Sequence, residues 1–140
     1  MTSPLNSIIF GVYAGLVDSL YYIGARNFAF LTVPPVDRSP LTSGQGTAAQ
    51  ALEKADIADW NARVTAMAQA LKKTRPDTNV FTVDANKLFT EVLDNPKSYP
   101  QTSGYANLTD YCVAYEKYVY SKTFPSLISL PFPFFENYIS

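Results

Sequence analysis

Histidine is absent from all 140 residues. That removes Ser-His-Asp and Cys-His catalysis and every imidazole metal site from the chemistry this chain can perform. Cysteine is nearly absent: Cys112 stands alone, so there is no internal disulfide framework. With no basic neighbour in sequence to lower its pKa, it is assigned no reactive role and reads as an unpaired or orphaned thiol. Charge of either sign is scarce and balanced. Eleven basic residues against twelve acidic ones give a net charge of −1, which offers no footprint for nucleic acid or anionic lipid. A long apolar run is missing too. Residues 8–17 are apolar, but no Lys or Arg precedes them and Asp18 follows, so they form neither a secretory signal nor a bilayer span. The chain reads as soluble and unexported, with no membrane partner. There is no Gly-x-Ser-x-Gly elbow and no phosphate-binding P-loop.

What is present suits one α/β domain, since 140 residues with 47% hydrophobic content can bury a core. Ser3 and Pro4 are an N-cap and first helical position. Leu5, Ile8, Ile9, Val12, Leu16, Leu20 and Ile23 follow at helical spacing as one apolar stripe. Gly11 and Gly15 either admit a close neighbour or simply weaken that helix. Gly24 is placed for a left-handed helix end. Residues 27–33 are an apolar, β-prone run without alternation, which predicts a strand covered on both faces. Pro34 and Pro35 end it.

A polar loop over residues 36–46 follows, then a capping-box pair, Thr47 and Gln50. The helix they open carries Ile57, Trp60, Val64, Met67 and Leu71 and stops at Pro76, with a bend or break expected between residues 51 and 59. Residues 79–83 read as a second strand, parallel to the first across a right-handed crossover. Asp84 caps a short helix bearing Leu88, Phe89, Val92 and Leu93, which ends at Asn95-Pro96.

Several constellations invite a functional reading, and each has a plainer one. Gly44-x-Gly46-x-x-Ala49 opens a helix like a dinucleotide fingerprint, but roughly ten residues separate it from its strand, against the usual two to six of a βα loop. No cofactor is therefore assigned. Asp56 and Asp59 share a helix face, where a solvated surface explains them better than a carboxylate pair across a sugar. Asp84 sits where active-site groups often lie, at the carboxyl end of a strand, yet capping accounts for it. Asn107-Leu108-Thr109 is a glycosylation sequon that matters only in a secreted chain.

Together the longer stretches carry a resemblance. Residues 24–40 (Gly-Ala-Arg-Asn-Phe-Ala-Phe-Leu-Thr-Val-Pro-Pro-Val-Asp-Arg-Ser-Pro) resemble the penultimate strand and following loop of fungal GDSL-type (SGNH) hydrolases, most nearly the acetylesterases of carbohydrate esterase family 16. Ile57-Ala-Asp-Trp-Asn61 is similar to their next helix, and residues 80–96 to their last core strand and helix. The resemblance runs from about residue 10 to 116. It implies a three-layer α/β/α sandwich with a parallel sheet, and hydrolysis of acetyl and similar esters by members that are often secreted.

The resemblance also implies a nucleophile in a Gly-Asp-Ser-Leu block, oxyanion donors from Gly and Asn blocks, and acid and base from an Asp-x-x-His block. None of these blocks occurs here, so no catalytic, cofactor or metal residue is carried over. Thr32 stands where the pattern suggests Asn.

The reading is a truncated, catalytically incomplete member of this esterase family, with a partial SGNH-like domain over residues 1–116. Acetylated carbohydrate would be a substrate only with the missing blocks restored. The alternative is a small α/β binding or interaction protein without catalysis. The sequence leaves the cellular location open. Residues 117–140, rich in Phe, Pro, Ser and Leu without period, are expected to be a divergent, disordered tail of translated non-coding or frameshifted origin. Self-association is expected through an unpaired edge of the strand at 27–33.

Overall fold

The computed structural model of the chain describes residues 4–105 and 107–110. Cys112 and the expected tail at 117–140 lie outside the described residues. Helix α1 (Pro4–Tyr22) starts on proline, whose missing N–H is no loss in a first turn. It ends as the sequence predicts. Gly24 takes φ +109°, Ala25 N–H reaches the Leu20 carbonyl at 3.0 Å and Gly24 N–H reaches that of Tyr21 at 3.0 Å. These two bonds make a Schellman end, satisfying carbonyls that the helix leaves open.

Strands β1 (Asn27–Leu31) and β2 (Asn79–Val83) pair in parallel, Asn27 opposite Asn79 and Leu31 opposite Val83. The long helix between them is α3 (Thr47–Thr74). β1 is two residues shorter than the expected 27–33. Thr32 N–H still bonds the Val83 carbonyl at 3.1 Å, but the polar atoms of Val33 are taken by a side chain of α3 and leave the ladder.

The segment 36–46 is not the loop expected. It holds a 3₁₀ turn (Val36–Arg38) and a short helix α2 (Pro40–Ser43). Ser39 caps α2 by accepting a bond from Thr42 N–H, with Pro40 in the first helical position. Nor does α3 break between 51 and 59; it runs unbroken for 28 residues. Its N-cap is Gly46, at φ +95°, rather than Thr47, and Gln50 spends its amide on the Asp37 carbonyl at 3.3 Å instead of closing a capping box. Lys72 and Lys73 occupy its last turn, where they oppose the helix dipole as expected. Helix α4 (Ala85–Asp94) begins on an Asp84 cap that accepts Lys87 N–H at 3.0 Å.

The core lies on one side of the sheet. Phe28 and Phe30 point from β1 into Val64, Ala68 and Leu71 of α3 and Val17 of α1, with Phe10, Tyr13 and Trp60 packed around them. Tyr13 stacks on Trp60 with ring centroids 6.3 Å apart, and Phe10 meets the indole edge-on at 5.3 Å. At the amino end of the sheet, Tyr21 holds Arg26 over its ring at 4.1 Å, while Arg26 pairs with Asp77 at 2.7 Å. Both partners of that pair are well solvated, so it adds about 1 kcal/mol or less.

Two expectations change here. β1 is not covered on both faces: Phe28 and Phe30 are buried, whereas Ala29 and Leu31 are exposed, and Phe81 and Val83 of β2 continue the open face. Parallel strands of this composition are usually sandwiched, but α1 and α3 both pack on the face that carries Phe28 and Phe30. The α1 stripe exists, but it faces outward. Leu5, Ile8, Ile9, Val12, Leu16 and Leu20 are all exposed, and the inward face is made by Phe10, Tyr13, Val17 and Tyr21. On that inward face Tyr13 stacks on Trp60 and meets Phe30 edge-on, contacts between rings that the aliphatic side chains cannot make.

This inversion gives a direct expectation. Val17, 5% exposed, and its neighbour Leu16, 58% exposed, should respond oppositely to alanine in the isolated chain. Val17→Ala should cost about 1–3 kcal/mol by leaving a cavity, and Leu16→Ala about 0.5 kcal/mol or less. Urea midpoints of the two variants at low protein concentration check this, and equal losses would reverse the helix.

Candidate functional site

The carboxyl end of the sheet is where a parallel α/β arrangement opens toward a ligand. Here it opens as a groove of about 970 Å³ running between α3 and α4 and under the Val36–Arg38 turn. Its floor is the end of β1. Val33 donates its N–H to Asn61 Oδ1 at 2.7 Å, and its carbonyl accepts from Asn61 Nδ2 at 3.0 Å and Asn86 Nδ2 at 2.9 Å. The Asn61 carboxamide thus replaces the peptide group of a neighbouring strand, which keeps an extended segment satisfied beyond the last ladder bond.

Thr32 completes the floor. Its hydroxyl donates to Asp84 Oδ1 at 3.1 Å and accepts Asn86 N–H at 2.9 Å, joining the end of β1 to the first turn of α4. The departure from the family pattern at position 32 is therefore a structural joint. Asp84 caps α4 and holds Thr32, both structural tasks, as the capping reading expects.

The rim is polar. Arg38 pairs with Asp94 at 2.6 Å across the mouth, with both side chains partly exposed. Thr42, buried, donates to Glu53 Oε2 at 2.5 Å and ties α2 to α3. Beyond α4, Tyr99 donates to Glu91 at 3.0 Å, and this bond to the carboxylate raises the phenol pKa above its ordinary value.

The remaining candidates do not converge on the groove. Asp59 accepts Arg63 Nε at 2.9 Å and Asn6 Nδ2 at 3.1 Å, and these bonds hold its carboxyl below the usual carboxylate range. It links α3 to α1, and Asn6 also reaches the Asp56 carbonyl at 3.4 Å. Gly44 closes α2 with its N–H on the Pro40 carbonyl, and a Cβ there would stand 3.1 Å from that oxygen. With Gly46 as the cap of α3, both glycines of the apparent dinucleotide fingerprint have backbone tasks. Asn107 is exposed. Its Oδ1 accepts Thr109 N–H at 2.9 Å and the Thr109 hydroxyl at 3.1 Å, so the sequon forms a compact turn. Among the described residues no group of three or more His, Cys, Asp and Glu side chains could hold a metal, and no helix is long and apolar enough to cross a membrane.

The groove therefore offers amides, hydroxyls and carboxylates, among them the buried Asp37. It can hold a polar group by hydrogen bonds, and it places no imidazole beside a hydroxyl. The Thr32–Asp84 pair is engaged in joining the end of β1 to α4. The Asn61 and Asn86 clamp was not singled out from the residues. Its one signal is Asn61 itself, a poor helix former in the middle of a strong helix.

The comparisons with known proteins agree with this frame. The chain is 30% identical over 112 residues to an acetylesterase of Thermothelomyces thermophilus, covering 76% of this chain and 36% of that one. It is 27% identical over 104 residues to a GDSL esterase/lipase of Arabidopsis thaliana, covering 71% and 28%. Over this part of its length the chain is related to the GDSL-type (SGNH) esterases. It spans about a third of the length of the curated relatives it matches. No family model and no solved structure matches it.

If Asn61 fixes Val33, Asn61→Ala leaves the part-buried Val33 N–H without its partner while Asn86 keeps the carbonyl, and should destabilise the chain by about 1 kcal/mol. Asn61→Asp, which keeps one acceptor, should recover part of that loss. Amide exchange at Val33 reads the effect locally: faster exchange is expected in Asn61→Ala, and unchanged protection would show that the clamp carries nothing.

Proposed function

We propose that this chain is the scaffold portion of a GDSL-type carbohydrate acetylesterase fold and is catalytically incomplete as it stands. In this reading β1, β2, α1 and α3 are one flank of a three-layer α/β/α sandwich, with the groove at its carboxyl edge. The observation that supports it is the pairing of that groove with a complete lack of imidazole in 140 residues. Acyl transfer needs an activated nucleophile, a base to take its proton and donors for the oxyanion. The groove offers no such base, and no Gly-Asp-Ser-Leu or Asp-x-x-His block is present. Acetylated carbohydrate would be turned over here only with a polypeptide that supplies those blocks.

A non-catalytic binding protein is the second reading, favoured by the same groove with its amide and hydroxyl floor. The two readings separate on the DNA and transcript flanking this reading frame: in-frame Gly-Asp-Ser-Leu and Asp-x-x-His blocks support the first, their absence the second.

Purified chain should show no saturable turnover of an activated acetyl ester. A complete site stripped of its triad can retain roughly 10³–10⁴ over water through its oxyanion hole, and that residue should be missing as well. Saturable activity that co-purifies with the chain and disappears in Thr32→Val or Ser39→Ala would overturn the proposal. Asn107 is the proposed glycan acceptor in a secretory compartment. Expression through a eukaryotic secretory host should give a mass shift that glycosidase removes and Asn107→Gln abolishes; a single unshifted mass would refute it.

A further inference from the structure

Beside the joints that end the sheet, the groove contains a carboxylate with nothing to hold. Asp37, in the Val36–Arg38 turn, is 8% exposed and lines the groove. Its backbone carbonyl accepts the Gln50 amide at 3.3 Å, but among the described residues its carboxylate has neither a hydrogen-bond donor nor an ion pair. The adjacent guanidinium is taken, since Arg38 pairs with Asp94 at 2.6 Å. Asp84 on the same groove is held by Thr32 and by the first turn of α4. Lys54 also lines the groove, but it is exposed to water and forms no ion pair with Asp37. Carboxylates are almost never this buried without a partner, because a charge taken out of water and left uncompensated is costly. Along α3 the groove is bordered by Ala58, Ala62 and Ala66, which stand four apart on one helix face and leave a methyl-lined track.

We propose that the groove binds an organic ligand carrying a primary ammonium group, with Asp37 receiving the cation and the alanine face of α3 receiving an aliphatic stem. The chemistry of the site selects this class. A neutral hydroxyl returns one hydrogen bond to Asp37 but none of the charge compensation that its burial calls for. A metal ion needs several oxygen ligands, and among the described residues no three acidic side chains converge to hold one. A guanidinium binds best to a carboxylate whose two oxygens are open side by side, whereas a carboxylate as covered as Asp37 suits the compact point donor of an ammonium. Three carboxylates against two cations line the groove, so one further positive charge balances it. No ester chemistry enters this assignment, and it stands whether or not the chain is part of an acetylesterase.

The test is a titration of the full chain with n-butylammonium chloride, read by the amide chemical shifts of isotope-labelled protein. A parallel titration uses n-butanol, which has the same stem and no charge. Saturable shifts are expected with the ammonium at Asp37, Arg38, Ala58 and Ala62, and the alcohol should bind roughly tenfold more weakly or worse. Asp37→Asn keeps the shape of the side chain and removes its charge. It should weaken the ammonium by roughly tenfold or more and leave the alcohol unchanged. Lys54→Met removes a like charge from the groove and should tighten the ammonium about twofold. Equal affinity for ammonium and alcohol in the parent chain would overturn the proposal, and that comparison needs no variant to fold. Full ammonium binding by Asp37→Asn would overturn it too. So would a parent without saturable shifts, including one whose binding appears only in Lys117→Gln or Lys122→Gln, because the chain's own lysine would then be the occupant. An Asp37→Asn chain that fails to fold would also count against it, since the carboxylate would then be a structural group.

Discussion

Everything described here depends on Phe28 and Phe30 being driven beneath α1 and α3. Two parallel strands of five residues cannot hold themselves together in water, since sheets this small need a helix or further strands on a shared apolar face. The two phenyl rings, with Val64, Ala68, Leu71 and Val17, supply that face. Once it forms, α3 has only one side on which to lie, and the crossover that returns the chain to β2 determines the parallel register. The groove at the carboxyl edge is a consequence, because α3 and α4 diverge from strand ends that the core has already brought together.

The groove owes its shape to hydrogen bonds that end the sheet. Asn61 stands in for a missing strand at Val33, Asn86 adds a second donor, and Thr32 bridges to Asp84. Each of these side chains is committed to structure, which is why a site placed where active sites often occur contains so little chemistry. An ester hydrolase of the GDSL type adds nucleophile, oxyanion donors and base to such a frame. This chain matches its relatives over about a third of their length.

The same one-sided core leaves two apolar surfaces outside it. The open face of the sheet shows Leu31, Phe81 and Val83, and the outer strip of α1 shows its aliphatic row. Both are surfaces that elsewhere in proteins are buried by a further layer or by another subunit.

The strands, the parallel pairing, the glycine end of α1, the Asp84 cap and the family were legible in the residues. Each rests on a local rule: a β-prone run between prolines, a residue able to take positive φ, a carboxylate one step before a helix. The absence of imidazole chemistry was legible in the same way, because it depends on composition alone. Which side of α1 faces inward was not. Periodicity finds one aliphatic stripe there, yet the structure turns it outward and buries the face of Phe10, Tyr13, Val17 and Tyr21. The length of β1 was hidden for a similar reason: Asn61, twenty-eight residues away, competes for Val33 with the next ladder bond. Local rules determine how each segment folds, while burial and hydrogen-bond satisfaction between distant segments decide which face is inside and where the sheet stops.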